Sequence, residues 1–331
     1  MKRIKLLTTI AAFVLIIANT SAQLTTTSVT KSQNGNNQLA LDYTEYLETD
    51  FKLFWDNPVR AHPGVPIDFH YSVYEKDNQP LTWELITAPT GMTISQDGEV
   101  DWTATTDIGT YQVQLKVTRE DGDFIERGFI ITVNTADFLF VSTTGDDTND
   151  GSIDNPFGTI EYAMREIQNS NEKTIYIRGG TYQENYVWNV NGVSGPLRGQ
   201  NFSAQAPMVI RGYPNEQVIL DCGFQGHGFW TFQTSYVVHS NMEIRNAGVG
   251  ERAGLNLAGE NNIAKDIIVR DSQWEFQNNV TGFKISGNNQ LLDRSFAYDN
   301  KDPNNNHWNS SNYLVYASGG TNNDFTYVLN S

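Results

Sequence analysis

Cysteine is almost absent: Cys222 is the single one in 331 residues, which excludes a disulfide framework within the chain. Basic residues are also scarce, with 22 Lys and Arg against 38 Asp and Glu and a formal net charge of −16. That balance argues against sequence-independent nucleic-acid binding, which depends on cationic neutralisation of phosphates. It leaves acidic polysaccharides open, because a local basic groove or a bound cation can override a mean field that salt screens beyond about 8–10 Å. Long apolar runs are missing too. The longest, Leu6 to Ile17, falls short of the roughly 20 residues a bilayer-spanning helix needs, so no transmembrane segment is expected. Nucleophile elbows, phosphate loops and zinc motifs do not occur, and His227 has no His, Cys or carboxylate at metal-ligand spacing.

What is present begins with an export pattern. Lys2, Arg3 and Lys5 precede the apolar run, and Thr20-Ser21-Ala22 offers small residues to a peptidase. Residues 1–22 therefore read as a secretory signal peptide, leaving Gln23 first and the product secreted or periplasmic. A lipid-anchored form would need a cysteine at that site. The remainder is long enough for two domains with cores, and 12% aromatics with 27 glycines fit β-rich structure. Residues 23–57 read as a leader or linker: Leu24 to Asn37 is rich in Thr, Ser, Asn and Gln, and Leu39 to Trp55 has no clean period.

From Val65 to Val133 apolar residues fall on alternate positions, as in Tyr111, Val113, Leu115 and Val117 and again in Phe129, Ile131 and Val133. Turn signals at Asp77-Asn78, Pro89-Thr90-Gly91, Asp97-Gly98 and Asp121-Gly122 divide short strands and predict a β-sandwich over 58–135. Pro80-Leu81-Thr82-Trp83, Gly98-Glu99-Val100-Asp101-Trp102 and Gly109-Thr110-Tyr111 resemble the Ig-like or cadherin-like repeats of bacterial surface and secreted enzymes. Such units serve as spacers, adhesion modules or carbohydrate binders. Trp83 and Trp102 read as sandwich core.

Beyond Asp137 the texture changes. A strand at Phe140 leads into the loop Gly145 to Gly151, then Asn155-Pro156-Phe157. An apolar stripe of Ile160, Ala163, Met164 and Ile167 follows, spaced for a helix. Next come Thr174-Ile175-Tyr176-Ile177 and Gly179-Gly180-Thr181-Tyr182, and further on Gly228, Gly254 and Gly282 recur at a solenoid period. Asn261, Asn289 and Asn323 fall at equivalent turns and could stack. This order resembles the pectate-lyase-like right-handed parallel β-helix, with closest likeness to polysaccharide lyase family nine, carried also by Arg211 to Asp221, Met242 to Gly248 and Ser295 to Asn300. The expected fold is all-β: an Ig-like sandwich, then a β-helix over 138–331 with a capping helix and with its last coils missing.

The resemblance implies a secreted polysaccharide lyase that cleaves a uronate-containing polymer by Ca²⁺-assisted β-elimination. The cation would neutralise the carboxylate and an uncharged lysine would take the C5 proton. The position matching the family's first calcium aspartate is Asn312, which brings an oxygen but no charge. The remaining metal and catalytic residues are expected beyond Ser331. A glycoside hydrolase on the same scaffold, or a glycan-binding or adhesion protein without catalysis, stay open as alternatives, and we expect a monomer with a polysaccharide partner. Asp146, Asp147 and Asp150 resemble a calcium loop faintly and read better as turn caps, since the distal glutamate is lacking. Asp299, Lys301, Asp302, His307 and Trp308 read as a solvated loop, with binding the second reading. Trp188, Trp230 and Trp274 fit core or sugar platform. The export reading predicts that protein recovered outside the cytoplasm starts at Gln23 or within a few residues of it by N-terminal sequencing; a retained Met1 would contradict it.

Overall fold

The computed structural model describes residues 23–26, 50–54, 59–105, 107–169, 173–184, 202–231, 234–248, 253–273, 281–300, 311–316 and 326–329. Period-two alternation builds the upstream unit. Phe124–Val133 pairs antiparallel with Gly109–Arg119 along its whole length, Leu81–Thr87 adds to one edge and Arg60–Ala61 to the other. Pro66–His70, Glu99–Thr103 and Thr93–Ile94 form a second sheet. Val113, Leu115, Val117, Ile131 and Val133 fill the core with Trp83 and Trp102, the two tryptophans expected there. The Asp97-Gly98 turn needs its glycine twice over: φ is +81°, and an added Cβ would lie 2.7 Å from the Trp83 ring.

The segment expected as a linker contributes structure at both ends. Phe51–Leu53 pairs antiparallel with Val73–Glu75, and Phe51 and Leu53 enter the sandwich core. A strand this short leaves too few residues for its period to be read. Gln23–Thr26 pairs antiparallel with Thr326–Leu329, so the outer edge of that last described strand is occupied.

Downstream lies a parallel β-helix with three rows of strands. One row stacks Phe138–Val141, Thr174–Ile177, Met208–Gly212, the first half of Val237–Arg245, the first half of Ile263–Arg270, Leu291–Asp293 and Thr326–Leu329. A second row stacks Gly180–Gln183, Val218–Asp221, the second halves of those two long strands, and Phe296–Tyr298. The third row is Phe229–Trp230, Ala253–Leu257, Thr281–Ser286 and Ser311–Tyr316. Helix α1, Ile160–Asn169, covers the first coil with the stripe that spacing predicted: Ile160, Ala163, Met164 and Ile167 join Leu139, Val141, Ile175 and Ile177 in one core. Its first amides are met by carboxylate, Ile160 N and Glu161 N each donating to Glu184 at 2.8 Å, a favourable charge at a helix N-terminus.

The coils turn on left-handed residues. Asn241, Asp266 and Arg294 share one corner, at φ of +55°, +54° and +45°, and Asn246, Asp271 and Asp299 share the next. Tyr236, Asn261 and Asn289 form the third. Asn and Asp tolerate this conformation better than other residues that carry a Cβ. The stacked amides are the residues after two of them. Asn262 Oδ1 accepts from Val237 N at 2.9 Å, its Nδ2 donates to Thr234 O at 2.9 Å, and its own N donates to Gln290 Oε1 at 3.2 Å. Asn261 and Asn289 thus set the turn while Asn262 and Gln290 carry the ladder; Asn323 lies outside the described residues. An amide left unmet in such a ladder costs about 1–3 kcal/mol. Gly228, Gly254 and Gly282 stack so closely that an added Cβ on Gly228 would meet Gly254 O at 2.2 Å.

His239 is wholly buried in the long middle strand against Phe229, with ring centroids 4.9 Å apart. Desolvation lowers its pKa to about 3. The folded form is therefore neutral, and the unfolded chain binds the extra proton first. Stability is intact above about pH 6.5 and is lost as pH falls towards 3, by at most about 4–5 kcal/mol for this group. A His239→Leu variant should lose less stability than the parent between pH 6.5 and 4 in urea unfolding; parallel profiles would contradict this.

Candidate functional site

The sandwich docks on the outer face of the first strand row. At the first coil Val65 packs with Phe138, Phe140 and Tyr176, and His62 meets both phenylalanine rings edge-on. Further along the stack Phe54 and Tyr74 pack with Ile263 and Leu291. Polar contacts join the same faces: Ser72 Oγ donates to buried Asp293 at 2.7 Å, Arg60 donates to Thr174 Oγ1 at 3.2 Å and Pro207 O at 2.5 Å, and Lys265 Nζ donates to the His70 carbonyl. Burial lowers Arg60 to about 10, against the opposing charge of Asp137.

Between these contacts the two domains part around a cleft of about 510 Å³. Its β-helix wall is a register row, Tyr176, Arg211, Ser240 and Lys265, one residue from each of four successive coils. Arg211 donates to Asp68 O at 2.8 Å, and its cation lies 5.7 Å from the Tyr176 ring centroid. Arg294 and Asp266 form a bidentate pair at 2.7 and 2.6 Å. The sandwich wall brings Asp68, Phe69, Asp97 and Glu99. Desolvation and then the neighbouring Asp68 raise the Glu99 carboxyl. None of these groups stands out in the sequence, because they come from separate strands and only the docking assembles them.

A second polar face lies on the third row, where Trp230, Asn256 and Lys284 follow one another in register. Asn256 is 4% exposed, and its Oδ1 meets no donor among the described residues. Trp230 stacks on buried His227, 5.2 Å between centroids, while His227 Nδ1 accepts from Ala253 N. His227 is thus a packed core histidine.

Asn312 sits on Ser311–Tyr316. Its Oδ1 accepts from Asn300 Nδ2 at 3.1 Å and from Asn300 N at 3.4 Å, while Asn300 Nδ2 also reaches Val269 O and Tyr298 O, both at 3.0 Å, and Asn300 Oδ1 accepts from Ser272 N. The oxygen that would face a cation is engaged in holding coil to coil. Among the described residues no three His, Cys, Asp or Glu side chains are grouped to hold a metal. These residues therefore do not fit a calcium site. Asp146 and Asp150 cap turns through Thr148 and Ser152, and Asp147 accepts from Gly158 N, Thr159 N and Thr159 Oγ1 at 2.8–2.9 Å, so the calcium-loop likeness resolves into turn capping. Asp299 is an exposed corner residue. Lys301, Asp302, His307, Trp308, Trp188 and Trp274 lie outside the described residues.

Comparison with known proteins agrees with this architecture. The family model for the Pel9A-like right-handed β-helix region matches residues 139–328. The chain belongs to that Pel9A-like family. An Ig-domain model matches residues 55–134 upstream. Pectate lyase PEL9 of Emericella nidulans is 25% identical over 209 residues, covering 56% of this chain and 45% of that protein. The uncharacterized protein YwoF of Bacillus subtilis is 26% identical over 156 residues, 46% of this chain and 30% of that one. The chain thus spans less than half the length of these curated relatives. Among solved structures, a rhamnogalacturonan lyase aligns at 15% identity and a TM-score of 0.39, covering 54% of this chain and 50% of that one. Pectate lyase Pel9A aligns at 15% identity and 0.28, covering 55% and 58%.

An aspartate at Asn312 keeps an acceptor for Asn300. Asn312→Asp should change unfolding stability by no more than about 1 kcal/mol, and added Ca²⁺ should shift its melting temperature no more than it shifts the parent's. A calcium-dependent rise confined to the variant would show that a cation position survives there.

Proposed function

We propose that this chain is an exported, monomeric carbohydrate-active protein whose β-helix handles a uronate-containing polysaccharide, with β-elimination as the reaction of the whole protein. The observation that carries the reading is membership of the Pel9A-like family over residues 139–328, supported by a pectate lyase among its relatives. The same proposal divides the chain into a signal peptide over 1–22, a segment over 23–57 whose Phe51–Leu53 strand joins the sandwich, an Ig-like unit over 58–135 and a β-helix from 138. Among the described residues no helix is long and apolar enough to cross a membrane.

Elimination from a uronate asks for two things: relief of the carboxylate charge beside C5, and a base for the C5 proton. Calcium supplies the first in the chemistry that the resemblance implies. Among the described residues no three His, Cys, Asp or Glu side chains are grouped to hold it. What the described chain offers is recognition. Aligned coils repeat at about 4.8 Å, and on the second strand row the partly exposed Arg245 and Arg270 and the exposed Tyr298 follow one another in register, a repeating surface suited to a repeating polymer.

Electrophoresis in gels containing polygalacturonate should retard the full 331-residue chain, while a neutral galactan should not. Equal mobility in both gels would overturn the reading. In digests of the same polymers, a rise in ultraviolet absorbance from an unsaturated end marks elimination, and new reducing ends without it mark hydrolysis.

A further inference from the structure

We propose that the cleft between the sandwich and the β-helix is a binding site for a short uronate-bearing sugar of one or two residues. The proposal rests on the reading above and assigns it a site outside the groove chemistry of the β-helix alone. Two observations carry it. First, the domains do not simply fail to meet: they are clamped by apolar contacts at the first coil and again at Ile263 and Leu291, yet between those clamps they enclose about 510 Å³. That volume lies within the roughly 300–1,000 Å³ of small-molecule sites, which favour domain interfaces.

Second, the walls carry the three kinds of group that a uronate needs. Arg211 on the β-helix wall is a planar cation suited to a carboxylate. Asp68, Asp97 and Glu99 on the sandwich wall are acceptors for sugar hydroxyls. Phe69, partly exposed on the same strand as Asp68, adds an apolar ring edge for a pyranose, its face being covered by the Lys265 ammonium. A neutral sugar would leave Arg211 without a carboxylate, and a bare anion such as phosphate would meet three carboxylates.

Calorimetric titration of the full chain with digalacturonate, and with galactobiose as the neutral control, tests this directly. Digalacturonate should bind, galactobiose should bind at least tenfold more weakly, and Arg211→Gln should weaken digalacturonate at least tenfold. Because Arg211 also contacts Asp68 O, Glu99→Gln serves as a second variant on an exposed position and should weaken binding several-fold without moving the melting temperature. No digalacturonate binding, equal affinity for galactobiose, or unchanged affinity in both variants would each overturn the cleft proposal. If polygalacturonate still retards the chain in that event, the functional reading stands without it. If the polymer does not retard the chain but digalacturonate binds in an Arg211-dependent way, the cleft stands and the polymer reading falls.

Discussion

Parallel strands stacked coil upon coil must stay in register while the chain turns through each corner, and this requirement decides which residues can stand where. Where a corner is left-handed in successive coils, the strands on either side leave it in the same direction and keep their side chains on the same face. Asn241, Asp266 and Arg294 repeat in this way, and likewise Asn246, Asp271 and Asp299. Arg294 is the least suited of them to a positive φ, and it is also the one tied to the coil below by its bidentate pair with Asp266. The pair joins the same corner of neighbouring coils, so the interaction that steadies an unfavourable backbone also fixes the stacking distance.

Register also turns single residues into surfaces. A position repeated in successive coils becomes a row, and the chemistry of each face is the chemistry of its rows. Tyr176, Arg211, Ser240 and Lys265 make the floor of the cleft. On the second strand row Arg245 pairs with Asp221 at 2.9 Å and Arg270 with Glu243 at 2.7 Å, linking each coil to the one before. These groups are partly exposed, so the pairs contribute orientation more than stability. The sandwich then selects among the faces. By covering the first row it removes Lys265 and Asp293 from solvent, and the backbone and hydroxyl groups of His70 and Ser72 supply the hydrogen bonds that such burial demands.

The parts of the fold that follow a period were legible in the sequence. The α1 stripe, the alternating strands of the sandwich and the glycine recurrence each repeat often enough to be counted. The amide ladder was legible only to within one residue. In Asn261-Asn262 and Asn289-Gln290 both residues can turn a chain or bond to it, and the left-handed corner reverses which of the two points inward. Asn312 shows the opposite limit. Its place in a motif suggested a cation ligand, but its bonding to Asn300 depends on a corner that comes twelve residues earlier and belongs to the coil's closure. The cleft could not be read at all, because Arg60 and Glu99 meet Arg211 and Arg294 only through docking.

The chain carries a formal charge of −16, and a polyanion approaching it at a distance meets that mean field. Within a Debye length of about 8 Å the balance is local instead. The cleft sets Arg60, Arg211, Lys265 and Arg294 against Asp68, Asp97, Glu99 and Asp266, four charges of each sign, so it is neutral in sum where the surface as a whole is acidic. Apart from Arg60 on the sandwich and Asp266 on the coils, the signs are also sorted by wall: the sandwich brings Asp68, Asp97 and Glu99, and the coils bring Arg211, Lys265 and Arg294. A ligand carrying one carboxylate and several hydroxyls can satisfy both walls in one orientation, and reversing it would set its carboxylate against Asp68 and Glu99. Selectivity in such a cleft follows from the docking geometry more than from total charge, since the arrangement that buries Lys265 under Phe69, 4.5 Å from the ring centroid, is the same one that holds the two walls apart.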